Sequence, residues 1–361
     1  MDFLDGQRKP IKSDDRKGEK RLYPYYGASG IIDYIDEYIF DGDYILLSED
    51  GANIIDRNYR VAFIANGKIW VNNHAHVLQP HKEMNINFLS EALERINYAI
   101  YNTGTTMPKL NQEICRKINL NVPSLSEQNK IGNLLYLLNE RIATQNRLID
   151  RLQSLMIGLN NSLYEQYGND ITTSFMELGY SYSGLSGKSA KDFGSGKPFI
   201  TYLNVYSNII VDETDYQYVR INDGEKQNIV RTGDVLFTLS SETPEEVGIG
   251  SVYLGEKEVY LNSFCFGIHI ERNQLAYSPY LSYYVTSTAF RKFIYPFAQG
   301  STRFNLCKAD FEKASIKLPS LDNQKRISAM LDCIAEKIRA EKAILEYYNI
   351  QRQYLLRQMF I

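Results

Sequence analysis

The sequence predicts an α+β protein in which two similar domains alternate with two long helices. Three observations lead to this prediction: a domain-sized internal repeat, a seven-residue apolar period after each copy of the repeat, and short β-type segments before it. The chain has 361 residues, more than one ordinary hydrophobic core holds, so two or more domains are expected. Its 44% hydrophobic and 23% charged residues are typical of a soluble globular protein.

The internal repeat is carried by two matching pairs of segments. Gly104-Thr-Thr-Met-Pro-Lys-Leu110 matches Gly300-Ser-Thr-Arg-Phe-Asn-Leu306. Val122-Pro-Ser-Leu-Ser-Glu-Gln-Asn-Lys-Ile131 matches Leu318-Pro-Ser-Leu-Asp-Asn-Gln-Lys-Arg-Ile327. Both pairs have the same ungapped spacing of 196 residues. This period is far above that of solenoid repeats, so each copy is expected to be a whole domain.

Apolar residues recur every seven positions after each Pro-Ser-Leu segment, which is the pattern of a coiled-coil seam. Gln145 and Glu341 interrupt the two seams at the same point of the repeat. A polar residue inside a seam usually fixes its register at some cost in stability. The predicted seam residues are Ile131, Leu138, Gln145 and Leu152 in the first helix and Ile327, Ile334, Glu341 and Tyr348 in the second.

The first helix is expected to run from about Ser126 to Leu163, roughly 57 Å at 1.5 Å per residue. Pro123 precedes it, and Ser124 and Glu127 fit a capping box. Two long, similar helices in one chain most simply pack against each other antiparallel. The alternative is that each is an ordinary amphipathic helix docked on its own domain.

Short β-type segments with turn signals precede both helices, and a helical patch closes each of these regions. The predicted architecture is therefore two α+β domains separated by two long helices that form an antiparallel coiled coil, with a pseudo-twofold internal repeat. Its four segments are a short first domain at 1–122, the first long helix at 123–168, the second domain at 169–318 and the second long helix at 319–361.

Charge and hydropathy exclude several classes of protein. The net charge of −3 counts against simple DNA binding through an excess of cations, so basic residues must be segregated or a partner must supply phosphate contacts. No apolar run approaches the ~20 residues that span a bilayer, and the polar N-terminus does not look like a signal peptide. We expect a cytoplasmic protein whose four cysteines are isolated, reduced thiols.

The catalytic motifs of DNA-acting enzymes are missing. The sequence has no adjacent prolines, as the base-holding loop of an adenine methyltransferase would require, and no Glu is followed two residues later by Lys, as in a common nuclease motif. The P-loop pattern fails because Tyr182 stands where its first glycine would be, and the dinucleotide fingerprint fails at Tyr253. We predict no catalytic residues and no cofactor on this chain.

Three histidines raise the question of a metal. His74 and His76 are alternate residues and would share a face of a strand, and His81 is near in sequence. No clear carboxylate or thiol completes a ligand set. A hydrogen-bonded histidine or a base-contacting edge is therefore favoured, and no metal site is predicted.

The repeated Leu/Val-Pro-Ser-Leu-x-x-Gln-x-x-Ile segment at the start of a heptad helix resembles the conserved regions of type I restriction-modification specificity subunits. Each preceding α+β segment resembles their target-recognition domains. The resemblance covers nearly the whole chain, and it rests on the order and duplication of its motifs. The first domain lacks most of the lead-in that the second has at about 171–195, which leaves the completeness of its recognition surface open. The similar motifs are Tyr23-Pro-Tyr-Tyr-Gly-Ala-Ser-Gly30, Asp41-Gly-Asp43, Asn72-Asn-His-Ala-His76, Tyr182-Ser-Gly-Leu-Ser-Gly187, Gly196-Lys-Pro-Phe-Ile200 and Thr232-Gly-Asp234.

The resemblance implies a mechanism and a set of partners. Each domain would read one half of a split site in double-stranded DNA, and the helices would set the unread spacer. Two methyltransferase (M) subunits would bind the chain and methylate adenine, and restriction/translocase (R) subunits would join for cleavage. S-adenosylmethionine, ATP and Mg²⁺ would act on those subunits only. The alternative is a pseudo-symmetric scaffold that binds protein and has no sequence preference on DNA.

Polar loop side chains supply the groups that read base edges in the major groove. The turn around Gly300 is expected to hold phosphate through its N–H and hydroxyl groups, which positions the protein without reading sequence. The predicted DNA-contacting residues are Tyr26, Ser29, Asn53, Asn73, His74, Thr105, Thr106 and Lys109 in the first domain and Tyr202, Asn204, Ser240, Asn262, Ser301, Thr302, Arg303 and Asn305 in the second.

Overall fold

A computed structural model describes residues 1–16 and 20–360. The chain divides into two compact units. Unit 1 comprises Met1–Asn146 with Ala343–Ile361, and unit 2 comprises Arg147–Lys342. The predicted segments 1–122 and 319–361 include residues 17–19 and 361, which lie outside the described residues.

Unit 1 is built around a six-stranded sheet with the order β1-β6-β4-β5-β2-β3. β2 and β5 run parallel, and the other neighbours run antiparallel. The strands are β1 (Asp2–Phe3), β2 (Tyr23–Gly27), β3 (Gly30–Ile35), β4 (Phe40–Ser48), β5 (Ala62–Val71) and β6 (Ala75–Gln79), and the short helices are α1 (Asn53–Asp56), α2 (Ile86–Glu94) and α3 (Gln112–Cys115).

Strand β4 is apolar on both faces of the sheet, because successive side chains of a strand point in opposite directions. Ile45 and Leu47 belong to the core that includes Phe88 and Leu89 of α2. Leu46, between them, belongs to a separate core on the other face. The sheet is therefore covered on both sides at its centre.

Unit 2 contains four smaller sheets among its described residues, with the orders β10-β9-β14, β13-β11-β15-β8, β12-β17-β16 and β18-β7. The strands are β7 (Ile171–Thr173), β8 (Gly179–Ser183), β9 (Phe193–Ile200), β10 (Tyr216–Val219), β11 (Val235–Thr238), β12 (Ser240–Ser241), β13 (Gly250–Val252), β14 (Tyr260–Leu261), β15 (Cys265–Ile270), β16 (Ala298–Gln299), β17 (Phe304–Leu306) and β18 (Ile316–Leu318). The helices that accompany them are α5 (Phe175–Leu178), α6 (Tyr202–Ser207), α7 (Ser278–Tyr284), α8 (Thr288–Ile294) and α9 (Lys308–Lys313).

Aromatic rings fill the main core of unit 2. Phe237 of β11 lies 5.4 Å from Phe266, 5.9 Å from Phe290 and 5.3 Å from Phe311, measured between ring centroids. The arrangement mixes stacked and edge-on pairs, which stabilise a core beyond the area they bury. Leu331 and Ile327 of the second long helix belong to the same core.

The two long helices are α4 (Leu125–Tyr167) and α10 (Leu321–Met359). Helix α4 begins with the predicted capping box: the Glu127 N–H donates to the Ser124 hydroxyl, and the Glu127 carboxylate accepts from the Ser124 N–H. The Ser124 hydroxyl also donates to the Glu127 carboxylate at 2.7 Å, and this bond together with the one from the Ser124 N–H lowers the pKa of Glu127. The helix continues four residues beyond the expected end at Leu163.

The antiparallel pairing of the two helices is visible inside each unit. In unit 1 the Arg352 Nε donates to Asn139 at 2.7 Å, and Arg141 donates to the Tyr348 hydroxyl at 3.3 Å. The two helices therefore run in opposite directions. In unit 2 the late α4 residue Leu159 packs on the core that contains the early α10 residue Ile327. The predicted seam residues are all buried or half-buried: Ile131, Leu138, Gln145, Leu152, Ile327, Ile334, Glu341 and Tyr348.

A buried glutamine at the start of each long helix forms hydrogen bonds to the domain that precedes the helix. Gln128 in α4 accepts from the Asn85 N–H at 3.0 Å and donates to the Pro123 carbonyl at 2.9 Å. Gln324 in α10 accepts from the Tyr277 N–H at 2.8 Å and donates to the Pro319 carbonyl at 2.9 Å. Asn85 and Tyr277 immediately precede α2 and α7, so the same contact occurs in both units.

We predict that Gln128→Leu lowers the free energy of unfolding of unit 1 by about 2–4 kcal/mol. The change leaves the partly buried Asn85 N–H and Pro123 carbonyl without partners, and each unsatisfied group costs up to about 1–3 kcal/mol. Trp70 is the only tryptophan of the chain and lies in unit 1, so its fluorescence during urea denaturation reports this value. Gln351→Leu, the same change at an exposed position of α10, should alter it by less than ~0.5 kcal/mol. Equal effects of the two changes would contradict the prediction.

Candidate nucleic-acid interface

Three segments of unit 1 meet in a backbone-paired junction at one end of the sheet. The Glu49 N–H donates to the His74 carbonyl at 2.8 Å, and the Leu110 N–H donates to the Glu49 carbonyl at 2.7 Å. Asp50 and Lys109 form an antiparallel bridge beside these bonds. The segments after β4, before β6 and before α3 are thereby held side by side, although they are far apart in sequence. We call this arrangement the first junction.

Unit 2 has the same junction with different side chains. The Leu239 N–H donates to the Phe264 carbonyl at 2.9 Å, and the Leu306 N–H donates to the Leu239 carbonyl at 2.8 Å. Ser240 pairs with Asn305 across β12 and β17. We call this arrangement the second junction. The backbone bonds match those of the first junction one by one, so both domains present loops on the same framework.

An asparagine shapes the turn that leads into each junction. The side chain of Asn72 accepts from the His74 N–H at 2.8 Å, and that of Asn262 accepts from the Phe264 N–H at 2.9 Å. Each asparagine also donates its backbone N–H to the neighbouring parallel strand. This is an Asx turn, in which the side chain stands in for a backbone carbonyl. It leaves the next residue, Asn73 in unit 1, exposed.

A glycine allows the tight turn beside each junction. A Cβ on Gly104 would lie 1.8 Å from the Met107 carbonyl oxygen, and one on Gly300 would lie 2.1 Å from the Arg303 carbonyl oxygen. No side chain fits at either distance, so both turns require glycine. The hydroxyl residues that follow each glycine are exposed: Thr105 and Thr106 in unit 1, and Ser301 and Thr302 in unit 2.

The first junction brings together most of the predicted DNA-contacting residues of unit 1. His74 is exposed, and its Nδ1 lies 2.9 Å from the Asp50 carboxylate. Lys109 is exposed, and its Nζ lies 3.4 Å from Glu49. Ser29 lies near the junction, since the preceding Ala28 carbonyl accepts from Ser48 at 2.5 Å. The residues that line this exposed surface are Ser29, Asn73, His74, Thr105, Thr106 and Lys109.

Two predicted residues of unit 1 have structural contacts instead. Tyr26 is half-buried, its ring stacks on Phe63 at 6.2 Å between centroids, and burial raises the pKa of its hydroxyl. Asn53 is half-buried and closes its own loop, since its side chain donates to the Tyr59 carbonyl and accepts from the Tyr59 N–H. Neither residue belongs to the group around the first junction.

The second junction gathers the exposed residues Ser301, Thr302, Arg303 and Asn305. The Arg303 guanidinium lies 5.9 Å from the ring centroid of Phe264, whose side chain is 56% exposed. An arginine over an exposed aromatic ring presents a cation and a flat apolar surface together. Asn262 is half-buried, and its side-chain oxygen serves the Asx turn.

Asn204 and Ser240, which we predict to contact DNA, are buried in unit 2. Asn204 has no exposed surface; it donates to the carbonyls of Asp212 and Asp215 and accepts from the Asp212 N–H. Ser240 is 5% exposed, and its carbonyl accepts from the Tyr202 hydroxyl at 2.9 Å. These groups hold the loop framework of unit 2 and do not present a free polar edge. Tyr202 is half-buried beside them.

Sequence reasoning missed two residues of the candidate interface. Asp50 holds the exposed His74, and Phe264 occupies the matching place in unit 2. Aligning Asn72-Asn-His-Ala75 with Asn262-Ser-Phe-Cys265 would have revealed Phe264 as the counterpart of His74. This match lies at a different offset from the long repeat, because the segments between the strands differ in length.

His76 lies in a charged cluster beneath the first junction. Its Nδ1 lies 2.6 Å from Asp5 and its Nε2 lies 2.8 Å from the Leu110 carbonyl. Both partners only accept hydrogen bonds, so both ring nitrogens carry protons and the ring is an imidazolium. Burial opposes this charge, but the hydrogen bonds with Asp5, Cys115 and Leu110 outweigh it and raise the pKa of His76 to about 10.

Ligand atoms of Asp5, Glu49 and His76 all lie within 4.8 Å of one another, a spacing that suits a metal ion. The protons on both nitrogens of His76 leave that ring without a lone pair to donate. Arg8 already supplies a positive charge, with its Nη1 2.7 Å from Glu49. The other two histidines face different carboxylates, His74 toward Asp50 and His81 toward Asp2. The arrangement is that of a hydrogen-bonded charge cluster.

The class of protein is shown by the family to which the chain belongs. Residues 2–154 and 185–347 both match the type I restriction modification DNA specificity domain. The chain is a member of this family, and its role is that of a DNA-recognition subunit of a type I restriction-modification system. The alternative of a protein-only scaffold is not favoured. No helix in the described part of the chain has the length and apolarity to cross a membrane.

Particular relatives are similar over most of their length. A putative type I restriction enzyme specificity subunit of Haemophilus influenzae is 26% identical over 91% of this chain and 84% of its own. A putative type I specificity subunit of Mycoplasma pneumoniae is 25% identical over 96% of this chain and 94% of its own. The crystal structure of the type I restriction-modification S subunit from M. genitalium has the same fold, with a TM-score of 0.62 and 15% identity over 100% of this chain and 95% of that one.

We predict that unit 1 loses stability as the pH rises from 7 to 9. The folded pKa of His76 is raised, so its contribution is complete below the unfolded value near 6.5 and disappears as pH passes through about 10. The expected loss in unfolding free energy over this range is about 2 kcal/mol. Urea denaturation followed by Trp70 fluorescence measures it, and His76→Gln should remove most of the dependence. A wild-type stability that stays level from pH 7 to 9 would contradict a charged His76.

Proposed function

We propose that each junction reads one half of a split site in double-stranded DNA and that the two long helices fix the unread spacer between the halves. The observation that carries this proposal is the duplicated junction, in which one set of backbone bonds displays two different sets of polar side chains. A shared framework with different side chains is what two unlike half-sites require. Base edges in the major groove are distinguished by hydrogen-bond donors, acceptors and apolar contacts of the kinds displayed there.

Phosphate contacts would come from the two glycine turns. Thr105 and Thr106 in unit 1 and Ser301 and Thr302 in unit 2 expose hydroxyl groups beside backbone N–H groups at a tight turn. Such contacts orient a protein on the duplex without reading its sequence. Lys109 and Arg303 stand next to these turns, and either can contact phosphate or the O6 and N7 of guanine.

Methyltransferase and restriction subunits would bind this chain and hold S-adenosylmethionine, ATP and Mg²⁺, and the chain itself would be non-catalytic. The surfaces of the long helices support the binding of partner subunits. Their outer faces expose large apolar side chains, including Leu137 at 61%, Tyr347 at 71% and Tyr354 at 62% in unit 1. In unit 2 Leu155 and Ile157 are 55% and 59% exposed. Exposed apolar groups of this size favour protein–protein contact.

Methylation mapping tests the proposal. The chain is expressed with its methyltransferase subunit in a host free of DNA methylation, and modified adenines are located by sequencing. The expected result is one motif made of two short halves around a fixed gap. Modification without sequence preference, or no modification by a stable complex, would contradict the proposal and support a scaffold.

We predict that Lys109→Ala and Arg303→Ala relax specificity in different halves of the motif. Each removes the cation of one junction only, and loss of one base contact costs about 1–3 kcal/mol of discrimination. Methylation rates on duplexes with single base changes give the discrimination at every position. The matched controls are Lys82→Ala and Arg272→Ala, which remove exposed cations away from the junctions. Relaxation in the same half by both variants would refute the assignment of one half to each unit.

A further inference from the structure

The charge cluster beneath the first junction consists of Asp5, Arg8, Glu49 and His76. Arg8 donates through Nη1 to Glu49 and to the Ala75 carbonyl, at 2.7 Å in both cases. Asp5 accepts from His76 at 2.6 Å. Its other oxygen accepts from the backbone of β6 at 3.0 Å. His76 is 1% exposed, and the side chains of Asp5, Arg8 and Glu49 are only 10–14% exposed. Two anions and two cations are thus enclosed and satisfy one another.

The cluster is attached directly to the exposed side chains of the first junction. Glu49 lies 3.4 Å from Lys109 through Oε1, while its Oε2 faces Arg8. Glu49 is followed by Asp50, which holds His74, and His76 is two residues beyond His74. Lys109 therefore contacts the cluster directly, and His74 contacts the residue that follows Glu49.

The second junction has no such cluster at the matching positions. Leu239 makes the backbone bonds that Glu49 makes in unit 1. Phe266 pairs with Phe237 of β11 as His76 pairs with Leu47 of β4. Phe266 lies in the aromatic core of unit 2. Charged side chains support the first junction, and apolar packing supports the second junction.

We propose that the charge cluster positions the reading side chains of the first junction, so that recognition of one half-site, but not the other, depends on these four charges. The inference rests on the proposed function. Charge-assisted hydrogen bonds are directional and strong away from water, so they hold Glu49 and His76 in one geometry. Removing one member leaves its partner charged and buried, which destabilises the geometry that the cluster holds.

The groups that face His76 come from every segment packed on it. Asp5 belongs to the N-terminal segment, Glu49 follows β4, and Cys115 lies in α3. The edge of the Phe3 ring lies against the imidazole at 5.8 Å between centroids. The N-terminal segment therefore supplies two of the four charges that support the first junction.

The test uses the full chain in complex with its methyltransferase subunit. Glu49→Gln removes the charge shared by Arg8 and Lys109 and keeps the shape of the side chain, and His76→Gln is the second variant. Methylation rates are measured on the mapped site and on duplexes with one base changed in either half. The ratio of two rates from one sample does not depend on how much of the protein is folded. A general loss of stability therefore leaves this ratio unchanged.

The expected result is a drop of about tenfold in discrimination within one half, comparable with losing one base contact, and unchanged discrimination in the other. The half affected should be the one that Lys109→Ala relaxes. Unchanged ratios in both halves, or equal losses in both, would overturn the inference while leaving the proposed function intact. A wild-type complex without any split-site preference would instead overturn the proposed function itself.

Discussion

The buried glutamine at the start of each long helix is the contact on which the arrangement of each unit depends. Gln128 and Gln324 join the first residue before a domain helix to the first turn of a long helix. In unit 1 the same connection is reinforced by Glu91 of α2, which is buried and binds Arg60, Arg352 and Asn139 at 2.7–2.9 Å. A domain is thus fixed to the long helices by paired polar groups, and an unpaired group left in their place costs about 1–3 kcal/mol.

Each domain that is attached in this way carries one of the two junctions. The backbone bonds of the junctions are equivalent, whereas the side chains differ at nearly every exposed position: His74 against Phe264, and Lys109 against Asn305. The fold separates two tasks that a recognition protein must combine. Buried polar contacts and glycine turns keep the frame constant, and exposed loop residues are free to change what is read.

Much of the architecture could be predicted because local sequence patterns determine it. The heptad period, the capping box at Ser124 and the repeated Pro-Ser-Leu segment predict the antiparallel helices and the internal repeat. The parallel pairing of β2 with β5 left no such signal, since no turn connects these strands directly. The glutamines were part of the motif, but their partners on α2 and α7 are set by tertiary packing.

The candidate site was predicted less completely for a similar reason. Residue type indicates what a side chain can bind but not which way it faces. Asn204 has the side chain of a base reader, yet its amide donates to the carbonyls of Asp212 and Asp215. His74 and His76 would share a face if both lay in a strand, but His74 lies in the turn before β6, so only His76 reaches the charge cluster.

Photo-crosslinking from the glycine turns tests the central claim most directly. A benzoylphenylalanine placed at Thr106 or at Thr302 is irradiated in the methyltransferase complex bound to its mapped site, with the exposed Lys226 as a control position. The account predicts crosslinks from Thr106 to one half of the site and from Thr302 to the other. Crosslinks from both positions to the same half, or yields no higher than from Lys226, would contradict the claim that two equivalent junctions read the two halves.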